Sequence, residues 1–91
     1  MKPTEIQFAL NLEALAAPQC RRIVEALVQD SQTLTGLAKL CKLTPASIDR
    51  HLDILVRSGL VKIRTVDGSK KAHLQASKFK PTLDWFYKIS N

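Results

Sequence analysis

Residues 37–59 read LAKLCKLTPASIDRHLDILVRSG, and the punctuation inside this stretch decides the fold. Leu34, Leu37, Ala38 and Cys41 recur at three- and four-residue spacing, which predicts a short helix over 34–41 with one inward stripe, capped by Thr33. Lys42 and Leu43 then make a tight turn. Thr44-Pro45 is a helix start: the hydroxyl can accept from a first-turn amide, and proline gives up an N–H that has no helical partner there. The next stripe, Ile48, Leu52, Leu55 and Val56, runs to Ser58-Gly59, where glycine accepts the left-handed conformation that ends a helix over 45–58. Two helices joined this way form a helix-turn-helix unit, with the second helix as the probe.

The flanks complete the pattern. A helix over 5–16, behind Thr4 as cap, carries its apolar side chains on two arcs. Phe8, Ala9, Leu12, Leu15 and Ala16 form one arc and Ile6, Leu10 and Ala14 the other, with Glu5, Gln7, Asn11 and Glu13 between them. A lone surface helix needs only one arc; two arcs mark either a helix buried deeply in its own domain or a second stripe facing another subunit, and with so small a core the second is expected. Pro18 opens a helix over 18–29 whose inner face is Ile23, Val24, Leu27 and Val28, and Asp30-Ser31-Gln32 is a polar break. Val61–Val66 and Lys71–Ala76 alternate as strands around an Asp67-Gly68 turn. That places Val61, Ile63, Ala72 and Leu74 on one face and Lys62, Arg64, Lys71 and His73 on the other. A last helix over 81–89 carries Leu83, Trp85, Phe86, Tyr87 and Ile89. The expected fold is α+β, mostly α: one winged helix-turn-helix domain over 1–91, a two-stranded hairpin wing over 61–76, and terminal helices that dimerise through Ile6, Leu10, Ala14, Leu83, Trp85, Phe86 and Ile89.

Composition narrows the function. A chain of 91 residues can enclose one small core, and its 45% apolar and 24% charged content is that of a globular domain. Nothing approaches a membrane span, and Asn11 and Glu13 interrupt the apolar stretch 6–17, so a cytoplasmic protein is expected. Cys20 and Cys41 are too few for a disulfide framework or a zinc site, and reduced thiols are expected. The net charge of +6 lies entirely in residues 42–91, with ten basic groups against four acidic, while residues 1–41 balance at four and four. A one-sided positive field suits a polyanion.

The candidate site follows from that charge and the probe helix. Thr44, Pro45, Ala46 and Ser47 are slim enough for close approach to base edges, and Arg50 is the candidate for a bidentate contact with guanine unless Asp53 pairs with it. Asp49 either accepts from a cytosine amino group or points sideways. Lys42 in the turn and Lys62, Arg64, Lys70 and Lys71 on the outer face or tip of the wing are candidates for phosphates. His51 is expected to be satisfied locally. No phosphate-cradling glycine loop, HExxH pair or nucleophile elbow is present, so no enzymatic site is anchored.

From Leu12 to Leu74 the sequence resembles the ArsR family of winged-helix repressors. Leu12–Pro18 is similar to that family's entry into its second helix, Leu37–Leu40 with Leu43–Leu52 to its helix-turn-helix, and Leu55–Val61 to the junction with the wing. The resemblance implies a homodimer built on the first and last helices that binds palindromic double-stranded DNA and blocks transcription. Where metal-sensing relatives carry a Cys-x-Cys pair this chain has Thr33 and Thr35, and Asp84 has no ligand companions in the last helix, so no metal or other cofactor is expected. Neither cysteine matches the family's usual thiol-sensing positions. The alternative function is a winged-helix module for protein contacts or sequence-independent nucleic-acid binding.

Overall fold

A computed structural model describes residues 1–90. Its elements, in chain order, are α1 (Pro3–Leu15), α2 (Pro18–Gln29), β1 (Gln32–Thr33), α3 (Leu34–Cys41), α4 (Pro45–Ser58), β2 (Val61–Val66), β3 (Ser69–Leu74), a 3-10 turn (Ala76–Phe79) and α5 (Lys80–Ser90). Three of the five helices begin on proline at the position where its missing N–H costs nothing. Thr33 accepts from the amide of Gly36 at 3.0 Å and Thr44 from that of Ser47 at 3.1 Å, so both expected caps form. Thr4 does not cap α1. Pro3 starts that helix earlier, and the Lys2 carbonyl accepts from the amides of Glu5 and Ile6. Gly59 (φ 87°) ends α4 in the left-handed region, and Lys42 (φ 54°) does the same for α3.

The wing differs from expectation in one respect: the sheet has three antiparallel strands in the order β1-β3-β2. Gln32 and Thr33, read as break and cap, also pair with Ala72 and Lys71 and so tie the hairpin to the start of α3. The hairpin turns on two residues, Asp67 (φ 52°) and Gly68 (φ 80°), both left-handed as a tight hairpin requires. A two-residue turn sets Val66 opposite Ser69, so the returning strand starts two residues before Lys71 and ends at Leu74. Beyond it, the Gln75 amide donates to the Leu60 carbonyl and the chain enters the 3-10 turn.

The core gathers Ile23 and Leu27 from α2, Leu37 and Cys41 from α3, Ile48, Leu52 and Leu55 from α4, and Leu60, Val61 and Ala72 from the junction and wing. Burying each large aliphatic side chain among them stabilises the fold by about 1.5–3 kcal/mol. Ala14 is also in this core, with 2% of its surface exposed. It therefore packs against its own domain and cannot belong to the outward stripe of α1 assigned to it, because α1 leans on the C-terminal end of α4 at this turn. Val28, expected inward, is 62% exposed because it lies one helical step beyond Leu27. Val56, one step beyond buried Leu55, is exposed for the same reason, and Leu34 is exposed at the first turn of α3.

Candidate nucleic-acid interface

The outward face of α4 is composed of Pro45, Ala46, Asp49, Arg50, Asp53 and Arg57, while Ile48, His51, Leu52, Leu55 and Ser58 are buried beneath it. Thr44, Pro45 and Ala46 are exposed at its leading end. Asp53 is bound to Arg57 at 3.0 Å, so the competing pairing with Arg50 does not occur. Arg50 is exposed and has no hydrogen-bond or ionic partner among the described residues. Ser47 is half-buried, and its hydroxyl turns toward His51 Nδ1 at 3.4 Å instead of pointing straight outward. His51 Nδ1 lies 2.8 Å from the Ser47 carbonyl oxygen; a carbonyl only accepts, so the proton sits on Nδ1 and the ring is satisfied within its own helix.

The wing presents its cations on two faces. Lys62 and Arg64 are exposed, and the register sets Arg64 opposite Lys71 and Lys62 opposite His73. Like charges directly opposite each other weaken a hairpin, and an anion lying across them would relieve that cost. Lys70 does not share their face. The two-residue turn pairs it with Thr65, which puts it on the side of Ile63 and Ala72, where it lines a cleft of about 260 Å³ with Asp49, Asp53, Val56 and Ile63. Asp49 accordingly points sideways, between the start of α3 and the wing. Lys42 is exposed at the left-handed turn between the two helices.

The terminal helices pack on each other through Phe8 and Trp85, whose ring centroids are 5.3 Å apart at 47°. Apart from that contact α5 buries nothing fully: Leu83, Trp85, Phe86, Tyr87 and Ile89 are all exposed, as is Ile6 on α1, and Leu10 is half-buried. Among the described residues no three His, Cys, Asp or Glu side chains converge on a common point, and no helix is long and apolar enough to cross a membrane. Cys20 and Cys41 are free and buried, and burial pushes both thiols above their ordinary range; the Arg22 guanidinium partly offsets this at Cys41.

One set of polar residues was passed over in the sequence. Asn11, wholly buried, donates to the Lys78 carbonyl and the Thr82 hydroxyl and accepts from Gln7, which also donates to the Ser58 carbonyl. The signal was present, since two amides four residues apart on α1 separate its apolar arcs.

No curated protein sequence matches the chain. Among solved structures, an ArsR-like transcriptional regulator from Rhodococcus sp. RHA1 superposes with a TM-score of 0.86 at 21% identity, covering 98% of this chain and 84% of that one. A possible transcriptional regulator for arsenical resistance gives 0.74 at 28% identity, covering 86% and 81%. The homodimeric winged helix-turn-helix DNA-binding domain of a possible ArsR-family regulator from Mycobacterium bovis gives 0.74 at 19%, covering 91% and 79%. Residues 15–64, more than half of the chain, match the family model described as a helix-turn-helix domain. With that match and the exposed, capped α4 beside a basic wing, the chain belongs to the helix-turn-helix domain family and is a DNA-binding transcriptional regulator with the winged fold of ArsR-family proteins.

Proposed function

We propose that the protein is a cytoplasmic, metal-independent repressor that binds a palindromic operator as a homodimer. The observation that carries this reading is Arg50, exposed and unpaired on a helix whose leading turn, Thr44-Pro45-Ala46, is slim and solvent-facing. In the proposal Arg50 reads a guanine, Thr44 and the exposed edge of Ser47 contact bases or phosphates, and Lys42, Lys62, Arg64, Lys70 and Lys71 hold the flanking strands. Exposed Ile6, Leu83, Phe86 and Ile89, with Trp85, supply the contact between copies, and Leu10 lies at its margin. Two helix-turn-helix units related by a twofold axis engage half-sites about 34–36 Å apart, which is why a palindrome is expected. A dimer seated across a promoter represses by occupancy.

Selection from a random duplex pool tests the reading. Enrichment of two inverted half-sites supports it, and no enrichment, or a single unpaired site, overturns it. A second reading, a winged module for protein contacts, is favoured by Asp49, Asp53, Val56 and Ile63, which give the cleft beside α4 an acidic and apolar lining. A DNA-free chain bound to another protein through α4 would select that alternative, and affinity for DNA that is indifferent to sequence would select sequence-independent nucleic-acid binding.

A further inference from the structure

We propose that Gln7 and Asn11 are positioning residues that fix how far apart the two recognition helices stand in the dimer, and so set the half-site spacing that the protein accepts. The inference rests on the dimeric reading above. In that reading α5, joined by Ile6 of α1, carries the contact with the partner copy and α4 carries the base contacts, so the angle between α5 and α4 determines where each Arg50 arrives. Helix α1 stands between the two and touches both.

The link through α1 is polar and directional. Gln7 Nε2 donates to the carbonyl of Ser58, the last residue of α4, at 2.8 Å and to Asn11 Oδ1 at 2.7 Å. Asn11 Nδ2 donates to the Lys78 carbonyl at 2.8 Å and to Thr82 Oγ1, on α5, at 3.0 Å. Both N–H groups of both amides are thus used, and no exposed surface remains on Asn11 for water to compete. Gln7 also roofs the end of the helix: its Oε1 lies 3.6 Å from where a side-chain carbon on Gly59 would begin. The only other residue of α1 that is fully buried is Ala14. Apolar contacts tolerate sliding, whereas hydrogen bonds prefer a narrow range of distances and angles. Replacing a satisfied polar pair by apolar groups of the same shape changes stability little, so what this network supplies is a unique geometry.

The lever is long enough to matter. From Ser58 to the leading turn of α4 is about 20 Å at 1.5 Å per residue, so a tilt of about 10° about the anchored end moves the tip about 3 Å. That is close to the 3.4 Å step between successive nucleotides of one strand.

Gln7→Met keeps the side chain's length and removes its donors, and the parent and variant chains are compared in two measurements. The first is affinity for an isolated half-site and for operators with one base pair added to or removed from the centre. The second is the distance distribution between spin labels at Ala46→Cys in the DNA-free dimer. We expect equal half-site affinity, a parent preference of at least about tenfold for one spacing that falls below about threefold in Gln7→Met, and a broadened label distribution. An unchanged spacing preference with an unchanged distribution overturns the proposal. Should Gln7→Met fail to fold, Thr82→Ala, which removes one acceptor of the same network, is judged by the same two criteria. A parent chain that sediments as a monomer, or that has no specific half-site, refutes the dimeric reading and this proposal with it. A dimer with a specific operator and an unmoved spacing refutes this proposal alone.

Discussion

Asp53 holds Arg57 at 3.0 Å across one turn of α4, and Arg50, three residues before the aspartate, is left with its charge unanswered. Both partners of the pair are largely exposed, so the bridge adds little stability. Its consequence is selective: it occupies one cation of the helix and frees the other. Arg50→Ala is therefore expected to leave the melting temperature unmoved and to lower affinity for the selected operator by about 1–3 kcal/mol, with no comparable loss on random duplex. Gel-shift titrations on both DNAs check it; equal losses on the two would make Arg50 a phosphate contact.

In the proposed complex Lys70 and Lys62 contact phosphates and not bases, so their removal should look different. Each substitution by alanine is expected to weaken binding to every sequence alike and to reduce the slope of log affinity against log salt by about 1. Lys70 faces the cleft that contains Asp49 and Asp53, whereas Lys62 lies on the other face of the sheet. If only one face meets the duplex, only one of the two variants will change the slope.

Gly59→Ala tests the stop of α4. The residue sits at φ 87°, where a side chain is strained, while the space around it is of ordinary contact distance. The expected cost of about 1–2 kcal/mol is therefore a backbone effect, and it should appear as a fall of several degrees in the thermal midpoint.

The helix-turn-helix unit was legible in the sequence because Thr44-Pro45 and Ser58-Gly59 are local signals, fixed by capping and backbone chemistry that needs no tertiary context. The wing was legible for the same reason at Asp67-Gly68. What escaped were features decided by packing at a distance. Gln32 and Thr33 become a strand only because β3 arrives beside them, and a two-residue pairing leaves no periodicity to read. Ala14 is small enough to suit either side of a helix, and only the approach of α4 shows that it faces inward. A returning strand that starts at Lys71 leaves Lys70 unplaced at the outer face or tip of the wing; the strand in fact starts at Ser69, and pairing with Thr65 puts Lys70 on the side of Ile63 and Ala72. Gln7 and Asn11 were read as dividers between arcs because their acceptors lie 51 to 71 residues away.

Burial raises the pKa of Cys20 and of Cys41 above the ordinary thiol value of 9.0. Near and above that pH the unfolded chain gives up thiol protons that the folded chain keeps. Stability contributed by the buried thiols is thus present in full below pH 9.0 and is lost as pH rises through the higher folded values. Urea midpoints are expected to fall on the alkaline side, and less so in a Cys20→Ala, Cys41→Ala chain. Thiol labelling at neutral pH should be far slower in the folded protein than in urea, since the reactive species is the thiolate; equal rates would contradict the burial.

Phe86 offers the cleanest test of the dimer. It is 59% exposed and lies outside the core cluster, so a charge placed there is not forced into the core. Trp85 is a poorer choice, because its ring also packs on Phe8 and its removal would loosen α5 from α1. Phe86→Glu is expected to keep the helical content and thermal midpoint of the monomer unit while sedimenting as a monomer at micromolar concentration, where the parent is expected to sediment as the proposed dimer. Operator affinity should then fall by about 100-fold or more, since the two half-sites are no longer joined through one molecule. Affinity for an isolated half-site should hardly change, because Phe86 sits on α5 and not on α4 or the wing. A variant that remains dimeric with full operator affinity would place the contact between copies on some other surface.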